Sequence, residues 1–366
     1  QDAALGVVDA GVLREQGTAA AAVVPGGGSG DAFALYRVGC NMCEELLQHA
    51  STHFGACVHR IARETLDPKQ RDSKKRWFLY GSEDEAMGHD AGFDWIVVTS
   101  LVSANQERWH ATFGGTPPLR DLHDVLRNST NVNDGSPSEL SPGIDLSDVT
   151  FADCSLARDV LDGMNETHVR PVLTSINMFD ASSVVGQALA ADYPFDLTHV
   201  NADPVLKKIV KEEIDDGETI AIVAHSTETF AEKVGPLRTS HSSVSKLSAF
   251  GPSSQAKQAA VAGEMEYALA NVVEQWVPGF AQNLRHADNE DGDLRYKSLH
   301  RWGAAFPEPG AYFTDTGTGQ LSYVMDSMGL AVCGDFLGPS PTAGKVEAAV
   351  MSGRDAADKL AQACRQ

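Results

Sequence analysis

Long apolar runs are missing from this chain. No stretch approaches the roughly eighteen uninterrupted apolar residues of a spanning helix, which sets aside an integral helical membrane protein. Cysteine is scarce, at six in 366 residues, and too scattered for a disulfide framework, so an intracellular compartment, cytoplasm or organelle, is expected. Excess positive charge is also absent. A net charge of −21 and a pI of about 4.9 repel phosphate backbones and anionic lipid surfaces, which excludes nucleic-acid or membrane binding through a basic face. The start, Gln1-Asp2-Ala3-Ala4-Leu5, has neither an initiating Met nor the basic-then-apolar pattern of a secretory leader. The chain therefore reads as a piece of a longer gene product or as a truncated descendant. What is present is a 42% hydrophobic composition with a mean hydropathy of −0.21, enough for a sizeable core. The length allows two or three domains of a soluble, acidic, globular protein.

The motifs with a chemical reading are few. Pro25-Gly26-Gly27-Gly28-Ser29-Gly30 follows an Ala-rich run and invites comparison with a phosphate loop. The dinucleotide fingerprint needs Gly-x-Gly-x-x-Gly, and the sixth position counted from Gly26 is Asp31 and from Gly28 is Phe33. The run reads as a flexible loop. Cys40-Asn41-Met42-Cys43 is either a redox pair or one helical turn carrying two small residues, and no second pair completes a zinc site. Asp288, Glu290, Asp291 and Asp293 form an acidic loop whose Gly292 and following residues miss the spacing of a calcium loop.

Periodicity divides the rest. A helical pattern starts at Tyr36, and Cys57–Ile61 and Arg76–Tyr80 read as strands. Phe93–Thr99 is a near-continuous apolar run, the mark of a strand buried on both faces of a parallel sheet. A short helix is expected around Ala104–Ala111. Segments 128–148 and 239–258 read as exposed insertions. Strands are expected at Arg170–Phe179 and Glu218–Ser226, flanking 205–209, with a helix carrying Met265, Leu269, Val272, Val273 and Trp276 beyond them. Gly329–Asp335 is a short strand closing on Gly-Asp, and a Gly/Pro loop leads from it to a helix over 345–363. That strand–turn–helix unit points a helix N-terminus at the strand's carboxyl end, a setting for an anionic or electron-rich ligand.

Several of these residues carry a likeness. Gly334-Asp335, Gly344-Lys345-Val346-Glu347-Ala348-Ala349 and Ser352-Gly353 resemble the C-terminal flavin motif of renalase-like, FAD-dependent amine-oxidase-type oxidoreductases. His300-Arg301-Trp302 matches an element of their bacterial and plant members, and Val38-Gly39, Val58, Phe93-Asp94 and Val223–Ser226 fall in the same order. The resemblance implies FAD as cofactor. Asp335 would accept from a ribityl hydroxyl, with Gly334 allowing close approach. Gly344, Lys345, Val346 and Glu347 would lie against the ring, with backbone N–H groups at the helix N-terminus facing flavin N1, where reduced flavin is negative. Val58 would contact adenine, and Trp302 would sit near the isoalloxazine. Ala348, Ala349 and Gly353 would let the helix pack closely. The family's N-terminal strand–turn–helix with its Gly-x-Gly-x-x-Gly has no counterpart here.

The expected architecture is α/β: a Rossmann-like FAD/NAD(P)-binding domain lacking its first βαβ unit, with an interposed α+β antiparallel-sheet substrate domain. Residues 1–30 would be a flexible segment, 31–115 and 296–366 the cofactor domain, and 116–295 the substrate domain with its two insertions. The expected activity is hydride removal from a small amine or a reduced-nicotinamide-type substrate. The alternative is a non-catalytic scaffold that no longer holds FAD. No residue is singled out as a catalytic acid or base: His225, alone on an apolar strand, reads first as a hydrogen-bonded core histidine. No metal site is expected, and the partner is a small molecule.

Overall fold

The computed structural model describes residues 5–9, 12–15, 57–65, 74–81, 83–88, 91–113, 115–129, 143–214, 217–235, 252–285, 293–307, 320–337 and 346–365. The Gly run at 26–30, the Cys40/Cys43 pair and the helix expected from Tyr36 lie outside them. Strands β1 (Leu5–Asp9) and β2 (Val12–Glu15) are followed by β3 (Arg60–Thr65), β4 (Lys75–Tyr80), β5 (Ala86–Met87) and β6 (Ile96–Val98). Helices α1 (Gln106–Phe113), α2 (Arg120–Ser129) and α3 (Phe151–Glu166) precede β7 (Val169–Asp180) and α4 (Val184–Ala191). Strands β8 (Leu197–Asn201), β9 (Leu206–Ile214) and β10 (Thr219–Ser226) lead to α5 (Glu228–Val234), α6 (Pro252–Val273) and α7 (Phe280–Arg285). The chain closes with β11 (Leu294–Pro307), β12 (Tyr323–Met325), β13 (Leu330–Val332) and α8 (Val346–Ala363).

Two compact units result, the first from residues 1–52 and 171–302, the second from 53–170 and 303–366. The first holds a seven-stranded sheet in the order β11-β7-β10-β9-β8-β1-β2. Strands β7, β10, β9 and β8 pair antiparallel in turn, while β1 lies parallel to β8. Alternation along each strand sends Phe179, Ile220, Ile222, Ala224 and Ile209 to one face, where they join buried Leu189, Met265, Leu269 and Phe280 in a single apolar cluster. On the opposite face Ile176, Val223 and Val210 are only half-buried.

The second unit carries two three-stranded sheets, β3-β4-β5 and β12-β13-β6. Strand β13 runs antiparallel to β12 and parallel to β6. Helix α3 starts at Thr150, whose side chain accepts from the Asp153 N–H at 3.2 Å, and buries Ala157, Val160, Leu161 and Met164 at helical spacing. Polar clamps tie distant segments together. Arg63, only 4% exposed, donates to both carboxylate oxygens of Asp148 (2.6 and 3.2 Å) and to the carbonyls of Asp145 and Met328 (2.7 and 3.2 Å). Trp77, fully buried, donates its indole N–H to the same Met328 carbonyl at 3.0 Å.

Several expectations change. Residues 5–9 and 12–15 form strands, not a flexible segment: β1 and β2 pair antiparallel, with Gly6 opposite Glu15 and Asp9 opposite Val12. Segment 128–148 is not wholly exposed. Residues 128–129 end α2, Ile144 is 4% exposed and bridges Arg63, and Asp145 and Asp148 neutralise Lys75 and Arg63. Residues 252–258 open α6, so the second insertion ends earlier than its composition implies. Strand β6 is not covered on both faces, since Val97 is 47% exposed on an outer strand of the described sheet. Residues 120–129 and 151–166, assigned from sequence to the middle domain, pack with β3 and β4 because their apolar faces complete that core.

Candidate functional site

The parallel pair β6/β13 sets Val98 beside Val332, and the Cys333 N–H donates to the Val98 carbonyl at 3.0 Å. Their carboxyl ends therefore open together, the position where ligands of parallel sheets bind. Gly334 follows with φ +154°, held by its N–H to the Ser352 hydroxyl at 2.8 Å. A Cβ there would meet Phe336 at 2.5 Å and the Thr99 carbonyl oxygen at 2.9 Å, so the turn admits only glycine without a shift. Asp335 then opens a 3-10 turn, Asp335–Leu337. Burial pushes its carboxyl above the usual carboxylate range, against the pull of its own N–H and that of Phe336. Val58, Val98, Thr99 and Ser100 border a cavity of about 380 Å³ at the same strand end.

Of the residues expected to hold a flavin, Val58, Gly334, Asp335, Val346 and Glu347 belong to this unit. Gly344 and Lys345 lie outside the described residues. Val346 and Glu347 are exposed in the first turn of α8, where helix N–H groups lack intrahelical partners. Helix α8 turns Ala348, Ser352 and Ala356 inward, but Ala349 is exposed and a Cβ on Gly353 would meet nothing, so the close packing rests on Ala348 and Ser352. The Ser352 hydroxyl, which donates to the Leu321 carbonyl and accepts from Gly334, is the positioning group that the motif alone did not single out.

Trp302 belongs to the other unit. His300-Arg301-Trp302 lies in the middle of the long strand β11, so His300 and Trp302 share a face. Their rings stack with centroids 5.9 Å apart and an interplanar angle of 27°, and Trp302 is 56% exposed.

A second set of polar groups escaped the sequence reading. His225 on β10 pairs with Thr174 on β7 and with Lys208 on β9, and Lys208 pairs with His199 on β8. Burial, with Lys208 alongside, lowers the His225 pKa to about 4. Burial likewise lowers Lys208, with Lys207 adding to it, and His199, with Lys208 and Lys207 adding to it. Only His225 stood out from the sequence, because the other three are adjacent through strand register, not through spacing. Among the described residues no group of three or more His, Cys, Asp or Glu is arranged to hold a metal. No described helix is long and apolar enough to cross a membrane.

No family profile and no curated protein matches the chain. Solved structures of putrescine oxidase, from a redesign of its cofactor binding, are similar at a low level. A triple mutant aligns at 11% identity over 84% of this chain and 48% of its own, with a TM-score of 0.38. The wild type bound to putrescine aligns at 11% identity over 56% of this chain and 38% of its own, with a TM-score of 0.32. The chain thus spans less than half the length of the oxidase chains it matches.

Proposed function

We propose that this protein is an FAD-dependent oxidoreductase of the amine-oxidase type, acting on a small amine or a reduced-nicotinamide-type substrate, with a Rossmann-like cofactor domain around β6 and β13. The observation that carries the reading is the half-buried Asp335 carboxylate, raised in pKa by burial, at the shared carboxyl end of two parallel strands. A half-buried carboxylate at the open end of parallel strands is placed to accept a hydrogen bond from a ligand. The donor set fits the group. Asp335 would accept a hydrogen bond from a hydroxyl of the cofactor's sugar-like chain, and Gly334 holds the turn that aims it. Val58 and the wall of β6 would supply apolar contact. The open first turn of α8, at Val346 and Glu347, would face developing negative charge with backbone N–H donors. Bound FAD would supply the hydride-accepting ring. The protein's part is positioning and electrostatic support, which such transfers require most.

The second reading, a scaffold without flavin, is favoured by the missing Gly-x-Gly-x-x-Gly. An absorbance spectrum from about 300 to 550 nm on this chain, and on the longest version its gene encodes, separates the two. A flavin spectrum in either protein that Asp335→Asn weakens supports the oxidoreductase. A folded protein supplied with FAD that shows none establishes the scaffold.

A further inference from the structure

A row of polar side chains crosses the seven-stranded sheet on the face opposite its packed core. The register sets His225 between Thr174 and Lys208, and Lys208 between His225 and His199. Directly paired residues of antiparallel strands hold their Cβ atoms about 5 Å apart, so the four side chains form one continuous line. The Thr174 hydroxyl and His225 Nδ1 are 3.4 Å apart.

Lys208 is half-buried and has neither hydrogen bond nor ion pair among the described residues, whereas its neighbour Lys207 holds Glu228 at 2.7 Å. That is unusual in a chain with 50 acidic and 29 basic residues. The nearest acid on the same face of β9 is Glu212, four residues on, about 13 Å away at the rise of a strand. A partly desolvated ammonium without a counter-ion is costly. Beside it stand a hydroxyl and two imidazoles, each able to present a donor, and next along the face lie half-buried Ile176, Val223 and Val210.

We propose that Lys208, with Thr174, His225 and His199, binds the oxyanion of a small-molecule ligand, a carboxylate or a phosphate. Lys208 supplies the charge, the row supplies hydrogen bonds, and the apolar strip beyond it takes the rest of the ligand. The lowered pKa values of His225 and Lys208 agree, for both reflect positive charge without compensation in a half-dry setting, and an anion on the row reverses them. The site stands independently of the flavin reading.

The test is NMR of the full chain carrying 13C-labelled histidine, with His225→Gln and His199→Gln assigning the two ring signals. Sodium phosphate or sodium acetate is titrated in at ionic strength held constant with sodium chloride. Saturable shifts of both rings are expected, with the His225 titration midpoint rising by about one pH unit. Lys208→Met should weaken binding at least roughly tenfold, and Lys208→Arg should preserve it. Response to phosphate alone identifies a phosphoryl ligand, and response to acetate alone a carboxylate. Shifts that never saturate overturn the proposal, as does equal affinity in wild type and Lys208→Met. If Lys208→Met fails to fold, the wild-type titration decides, with Lys208→Arg as its check.

Discussion

The two units are held together differently. The first is a continuous ladder of seven strands over one apolar cluster, and its cohesion is spread along many backbone pairings. The second has two small sheets, and its integrity depends on side chains that reach across the sequence: Arg63 to Met328, Trp77 to Met328, Ser352 to Gly334. A ladder tolerates the loss of one contact, because its neighbours remain paired. A clamp leaves buried carbonyls orphaned when it is removed. The candidate cofactor residues around Asp335 lie in the clamped unit, and the oxyanion row lies on the ladder.

The largest expected effect tests that contrast directly. Trp77→Ala should cost about 4 kcal/mol, because it opens a cavity at a fully buried indole and removes one of the two donors to the Met328 carbonyl. Hydrogen exchange should then show protection falling within 53–170 and 303–366. Equal loss across β7–β10 would break the comparison. Next comes Arg63→Met, expected to cost about 3 kcal/mol in denaturant unfolding, since Asp148 and the Asp145 and Ser327 carbonyls lose their donor. Arg63→Lys should recover only part of it, lacking the two-pronged geometry.

A smaller effect has the opposite sign. The folded Asp335 carboxyl sits above its unfolded value, so the native state favours its protonated form. Its stabilising contribution is present at low pH and is lost as pH rises through the folded pKa. Asp335→Asn should therefore raise stability at pH 7 by about 0.5–1 kcal/mol while weakening flavin binding, the trade expected of a functional residue. A destabilised variant would make the aspartate a structural cap instead. Smallest is a pH slope in the ladder. Folded His225 stays neutral down to about 4 while the unfolded residue protonates near 6.5. Stability present above pH 6.5 is lost as the pH falls toward 4, and His225→Gln should flatten thermal unfolding midpoints across that window.

The centre of the ladder was legible in the chain and its flanking strands β1, β2, β8 and β11 were not. The runs at 170–179 and 218–226 became β7 and β10, and in the other unit the run at 329–335 became β13 and its turn. Helix α3 was passed over although Leu156, Val160, Leu161 and Met164 recur at helical spacing, because polar residues surround them and no Gly or Pro marks its ends. Strand β11 was missed because its centre holds His300-Arg301-Trp302, residues that read as a motif before they read as a strand. Asp335 was found from local pattern, since turn, glycine and acid are adjacent in sequence. Lys208 was not, since nothing near it in the chain names its partners.

By itself the sequence determined the chemical class of the protein: acidic, rich enough in apolar residues for a core, poor in cysteine, and with a strand–Gly-Asp turn–helix at its end. These follow from composition and from periods of a few residues, which local sterics and burial read directly. Tertiary structure alone decided that Arg63 is buried, that Ser352 holds the Gly334 turn, and that Thr174, His225, Lys208 and His199 stand in line. Each depends on register between strands or on closure of long loops. A slip of one residue in β9 would turn Lys208 to the other face of the sheet, and only the packing of the whole core prevents it.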